Sequence, residues 1–204
     1  PEKGAWSLSR DVLFSFKFVS PRYPVMACEF YLGGTLNRTN SSTMNDTLTT
    51  FMVYNISEQM LLSWNVTCRD PANPSISVGD DSYFSIESAY PTWNNESAYP
   101  GSPVTRIQLK TLNYTVEFNV TFEDNMEMDE VLMEHNVSGI LSTYNMSCAC
   151  TNTTVSYVSG GQTLSKEVCF KKECTYSIKP DLGNYVYRFI GRDQIGLTNS
   201  TPWY

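Results

Sequence analysis

The chain has 204 residues, 41 % of them hydrophobic and 13 % aromatic, which is enough to bury one large core or two smaller ones and excludes a disordered tail. Lysine and arginine number 14 against 21 aspartates and glutamates, and the net charge of −7 argues against nucleic acid or an anionic membrane surface as a partner. The single histidine, His135, rules out a multi-histidine metal site and leaves a serine–histidine–aspartate triad only one possible base.

In chain order, β-branched and aromatic runs dominate. Strands are predicted at 11–19, 25–32, 48–54, 60–68 and 83–86, separated by the turn-forming stretches 21–24, Gly33-Gly34, 55–58 and 70–74. The first run alternates most cleanly, with Phe14, Phe16 and Phe18 on one face and Ser15 and Lys17 on the other. Residues 88–103 carry three prolines and few aliphatic side chains, and read as a linker. Strands are predicted again at 105–112, 114–122, 139–144, 154–158, 165–170, 175–178 and 185–190. The expected organisation is all-β, with one sandwich over 1–88, a linker over 89–103 and a second sandwich over 104–204.

Asparagine followed by x-Ser/Thr is the strongest signal. With proline excluded at x, it occurs at Asn37, Asn40, Asn45, Asn55, Asn65, Asn95, Asn113, Asn119, Asn136, Asn145, Asn152 and Asn199, which is 12 of the 16 asparagines. Chance placement among the 43 serines and threonines would give only about 3 such sites. Covalent N-glycans at most of them are expected, and with them an extracellular or cell-surface location. No targeting signal is present, as in a mature form or an excerpt, and no apolar run reaches the 18 or so residues of a membrane span.

Six cysteines in such a chain read as three disulfides. Cys28 and Cys68 stand alone in the first half and are expected to pair, closing a loop that contributes about 4 kcal/mol. Among Cys148, Cys150, Cys169 and Cys174 three connectivities are open. The nested one, Cys148–Cys174 with Cys150–Cys169, is preferred because residues i and i+2 of a strand face one neighbour. The rival, a four-thiolate zinc site, is disfavoured by oxidising surroundings and matches no zinc-ribbon spacing.

The halves share a pattern. Trp64-Asn-Val-Thr-Cys-Arg-Asp-Pro-Ala-Asn73 aligns with Tyr187-Arg-Phe-Ile-Gly-Arg-Asp-Gln-Ile-Gly196, each a strand running into a turn led by Arg-Asp, as in tandem modules. Three segments together resemble the immunoglobulin-like modules of prokaryotic surface proteins, especially glycosylated archaeal ones. They are Pro1-Glu-Lys-Gly with its Phe-rich strand, Met26-Ala-Cys-Glu-Phe-Tyr-Leu-Gly-Gly-Thr-Leu-Asn37, and Leu62-Ser-Trp-Asn-Val-Thr-Cys-Arg-Asp70. The resemblance implies tandem immunoglobulin-like sandwiches, with Cys28 on the second strand bridged to Cys68 on the penultimate one. The second half departs from it at Gly191, where the penultimate-strand cysteine is missing.

Chemistry-bearing candidates are few. The stretch Glu123–Glu134 holds six carboxylates and reads as a solvated loop, with calcium at Asp124, Glu127 and Asp129 as the competing reading, although EF-hand spacing is absent. His135, next to a sequon, is expected at the surface. Tyr90, Trp93, Tyr99, Trp203 and Tyr204 could stack on sugars, but packing against a neighbouring module explains them better. No catalytic residue, cofactor or metal is expected, nor enzymatic activity. The implied role is that of a structural subunit of an extracellular filament or surface layer, with other copies of itself as partner. An adhesion or receptor ectodomain that binds a protein or glycan is the alternative.

After Arg192-Asp193 only 11 residues remain, so the last strand of the second sandwich is expected to be short or absent. An open edge there would accept the segment 1–10 of another copy, with completion inside the chain, or excision from a longer array, as the competing readings.

Overall fold

In the computed structural model the chain is all-β, and the structure describes residues 1–99, 107–108, 115–159, 161–180 and 184–204. It divides into two compact units, Pro1–Ser88 with Thr154–Lys166, and Ala89–Thr153 with Glu167–Tyr204.

The first unit contains β1 (Ala5–Ser7), β2 (Val12–Phe16), β3 (Val25–Leu32), β4 (Thr35–Met44), β5 (Thr49–Val53), β6 (Gln59–Asp70) and β7 (Asn73–Ile86). Five of these form a sheet in the order β1-β7-β6-β3-β4, and β2 pairs with β5 as a separate two-stranded sheet. Alternation explains the layering: Met26, Cys28 and Phe30 of β3 and Leu62, Val66 and Cys68 of β6 point into one core. Phe14 of β2 lies at its centre, with ring centroids 4.8 Å from Phe30, 5.5 Å from Trp64 and 5.4 Å from Phe84. Each such buried ring contributes about 2–3 kcal/mol of apolar transfer. Gly33 and Gly34 both have positive φ, which a two-residue hairpin between Leu32 and Thr35 requires.

The second unit contains β8 (Thr92–Tyr99), β9 (Ile107–Gln108), β10 (Val116–Glu123), β11 (Met128–His135), β12 (Ser142–Asn145), most of β13 (Ser147–Ser159) and β14 (Gln162–Ile178), β15 (Asn184–Tyr185), β16 (Tyr187–Asp193) and β17 (Thr198–Ser200). Its two four-stranded sheets run β13-β14-β10-β8 and β12-β11-β16-β17, and β9 pairs with β15. Val116, Phe118, Val120 and Phe122 of β10 meet Val131 and Met133 of β11 and Tyr187 and Phe189 of β16 in one core. Residues 154–166, from the far ends of β13 and β14, belong to the first unit, where the Tyr157 ring packs 4.8 Å from that of Tyr83.

Arg69-Asp70 ends β6 and Arg192-Asp193 ends β16, and the two turns are built alike. Each arginine meets a glutamate of the adjacent strand, Arg69 with Glu29 at 3.6 Å and Arg192 with Glu130 at 2.7 Å. Each aspartate accepts a main-chain N–H two residues on, from Ala72 at 2.9 Å and from Ile195 at 2.9 Å.

Three expectations need correction. The segment 89–103 is not a plain linker: residues 92–99 form β8, paired antiparallel with β10, and Trp93 packs 6.5 Å from Phe122. The acidic stretch 123–134 is not a solvated loop, since from Met128 it becomes β11, with Met128, Val131, Met133 and His135 inward and the carboxylates of Asp129, Glu130 and Glu134 on the other phase. His135 is therefore buried at 1 % exposure, not at the surface. The sequon at Asn113 and most of the strand predicted at 105–112 lie outside the described residues.

Candidate functional site

The first unit is a lopsided sandwich. Its inner layer has five strands and its outer layer only β2 and β5, so β2 has a strand partner on one edge alone among the described residues. Beside that edge runs a groove of about 320 Å³. Ser15, Phe16 and Val19 line it together with Trp64 and Val66 of β6 and with Asp80, the cross-strand partner of Val66 on β7. Val19 is 66 % exposed. Trp64 keeps its indole N–H buried without a hydrogen-bond acceptor among the described residues, a donor that water would otherwise satisfy. At the rim Lys17 pairs with Asp46 at 2.8 Å, and that hydrogen bond and charge hold the Asp46 carboxyl below the usual range. The arrangement suits an extended strand, with a free β2 edge for its main chain and an apolar lining for alternate side chains.

The last strand is short, as expected, and of the readings weighed for it completion inside the chain is the one observed. The last segment is completed within its own unit: β17 pairs with β16, and Thr201 and Tyr204 continue the main-chain bonding to Phe189 and Tyr187. β16 thus gains its partner inside the chain, and among the described residues β2 in the first unit is one of several strands paired on one side alone. At the other end, β1 is a three-residue parallel strand paired with Phe84–Ile86 of β7, extended by main-chain bonds from Gly4 to Tyr83 and from Glu87 to Ser7, and Leu8 just beyond it is 61 % exposed.

Sequon asparagines are spread over both units, and none of those described is buried. Asn37, Asn55, Asn95, Asn145 and Asn152 are exposed, whereas Asn40, Asn45, Asn65, Asn119, Asn136 and Asn199 are half-buried. In two of the latter the amide nitrogen that would carry the glycan is engaged by main chain. Asn45 Nδ2 donates to the Ser20 carbonyl at 2.8 Å and Asn199 Nδ2 to the Pro91 carbonyl at 2.9 Å.

The disulfides are Cys28–Cys68, Cys148–Cys174 and Cys150–Cys169, which fits an oxidising environment. Cys28 and Cys68 sit directly opposite on β3 and β6, neighbours in one sheet with Cα atoms 3.9 Å apart. That bond therefore crosslinks adjacent strands and does not cross from one layer of the sandwich to the other. The remaining four cysteines join β13 to β14.

The carboxylates considered for calcium are not brought together. Asp124 is buried, Glu127 half-buried and Asp129 exposed, and the Asp129 carbonyl accepts from the Lys172 ammonium. His135 stacks on Tyr144 with ring centroids 4.6 Å apart. Its Nδ1 accepts the Val137 N–H at 3.3 Å and its Nε2 meets the Tyr176 hydroxyl at 3.4 Å. Burial pushes its pKa down, so the ring is kept neutral. Burial likewise pushes the Tyr187 hydroxyl up to about 12. Of the aromatics considered for sugar stacking, Trp203 lies beneath the Arg188 guanidinium at 4.6 Å, half-buried Tyr204 packs 5.3 Å from Tyr187 and Tyr90 is exposed, while the Tyr99 side chain lies outside the described residues.

The groove and the free β2 edge are what sequence reasoning missed: they follow from residues 35–44 pairing with β3, which leaves only two strands for the outer layer, and β4 has no alternating pattern of its own to announce it. Among the described residues no helix is long and apolar enough to cross a membrane. No protein-family model matches the chain, and no curated protein matches it.

Proposed function

We propose that the chain is a structural subunit of an extracellular, N-glycosylated filament or surface layer, built from tandem immunoglobulin-like modules and assembled by strand addition between copies. The observation that carries this reading is the groove beside β2, with its unpaired edge, exposed Val19 and buried, unpartnered Trp64 N–H. The occupant we assign is the segment 1–10 of a second copy. It alternates Ala5-Trp-Ser-Leu8, carries Lys3 and Arg10 against the single acid Glu2, and would meet Asp80 in the groove. In its own chain its strand pairing covers three residues, with main-chain bonds from Gly4 to Tyr83, Glu87 to Ser7 and Ile56 to Arg10 beside it, so an exchange must replace these with a longer pairing between chains. Disulfides on neighbouring strands then resist unfolding of a loaded polymer, and glycans shield its surface.

A synthetic peptide of residues 1–10 tests the occupant. Added in excess to the full chain, it competes for the groove and shortens or abolishes assemblies. Val19→Asp leaves the fold intact and removes the peptide's binding. A peptide that neither binds nor limits assembly contradicts the reading.

A further inference from the structure

The inner face of β16 carries Tyr187, Phe189, Gly191 and, at its last inward position, Asp193. An apolar side chain would fit the pattern there, yet the position holds a carboxylate only 1 % exposed. Asp124, directly after β10 in the same unit, is 8 % exposed. One carboxylate oxygen of each lies within 4.8 Å of the other.

Each carboxylate is half satisfied. Asp193 Oδ1 accepts the N–H groups of Ile195 at 2.9 Å and Leu197 at 2.8 Å, but its Oδ2 is buried with no hydrogen-bond partner among the described residues. Asp124 Oδ2 accepts the Met126 N–H at 3.1 Å, and its Oδ1 is likewise buried without a partner. The adjacent cation, Arg192, is taken by Glu130 at 2.7 Å. Two buried anions facing one another in a medium of low polarity need a compensating charge.

We propose that Asp124 and Asp193 hold one divalent cation, calcium by the hardness of their oxygens, at the end of the second sandwich where the chain crosses from β10 to β11. Calcium–oxygen bonds of about 2.3–2.6 Å allow two oxygens at this separation to share one ion. The geometry favours a cation over a shared proton, because three main-chain N–H groups already aim at the other oxygens of the pair and stabilise the ionised carboxylates. A cation relieves the repulsion between the two buried carboxylates. Bound there, the ion ties the end of β10 in one sheet to the end of β16 in the other. The inference is independent of the filament reading.

The test uses the full chain, stripped with chelator and titrated with calcium chloride. One ion per chain by calorimetry is expected, with a saturable rise of several degrees in Tm. Asp193→Asn and Asp124→Asn each abolish both effects, and Asp129→Asn leaves both unchanged. In chelator, Asp193→Asn melts no lower than the wild type, since it removes the repulsion, and this reports that the variant folds. Absence of stoichiometric binding at millimolar calcium overturns the proposal, as does binding that survives both substitutions. A wild-type Tm that ignores calcium but climbs as the pH falls toward 4, with Asp193→Asn flat, assigns the pair to a shared proton and overturns it equally.

Discussion

The ring of Phe122 lies directly on Gly191, so close that a Cβ on that glycine would fall under 3.0 Å from three ring atoms. Phe122 ends the inward row of β10 and Gly191 sits in the inward row of β16, so the contact joins the two sheets of the second unit. It also explains the composition there: the position aligned with Cys68 of the first unit has no room for any side chain.

Gly191→Ala should therefore destabilise the second unit by about 2–3 kcal/mol, the usual cost of overpacking a filled core. Urea unfolding measures it. Phe122→Leu in the same chain should recover part of the loss, and a Gly191→Ala variant as stable as the wild type would remove the contact from the account.

Stability should fall as the pH is lowered through about 6.5, the ordinary histidine value. Burial lowers the folded pKa of His135, so below that pH the unfolded chain takes up a proton that the folded chain resists, and unfolding is favoured. His135→Gln should flatten this part of the profile. The check is the difference in urea midpoint between pH 7.5 and 5 for the two proteins.

Glycan occupancy should follow the free amide nitrogens. Peptide mass spectrometry before and after glycan removal is expected to find Asn37, Asn55, Asn95, Asn145 and Asn152 largely occupied. Asn45 and Asn199, whose Nδ2 atoms are bonded to carbonyls, should be the emptiest. Fewer than half of the twelve sites occupied would count against a glycan shield.

Replacing Cys28 and Cys68 together by alanine should lower stability by about 4 kcal/mol, the loop-closure term for a separation of 40 residues. Because the bond joins neighbouring strands of one sheet, the β signal in circular dichroism should survive the loss at low temperature. Loss of that signal would mean the crosslink is needed to form the sheet at all.

The all-β class was legible because β3, β6 and β10 bury alternate apolar residues and are bounded by turns. β4 was not, since it is an edge strand with Thr43 as its one buried residue, and its partner β3, not its own pattern, makes it a strand. β11 was hidden by its charges: the run of carboxylates masked Met128, Val131, Met133 and His135 alternating beneath them. The groove could not be read at all from local pattern. It depends on how strands are shared between two layers, which is decided by pairings distant in sequence.

Negative-stain electron microscopy of the glycosylated full chain beside a variant lacking residues 1–10 decides whether copies join through that segment. Filaments or sheets are expected from the full chain, and monomers with an unchanged β signal from the truncated one. Polymers that persist without residues 1–10, or a full chain that stays monomeric at high concentration, would contradict such joining.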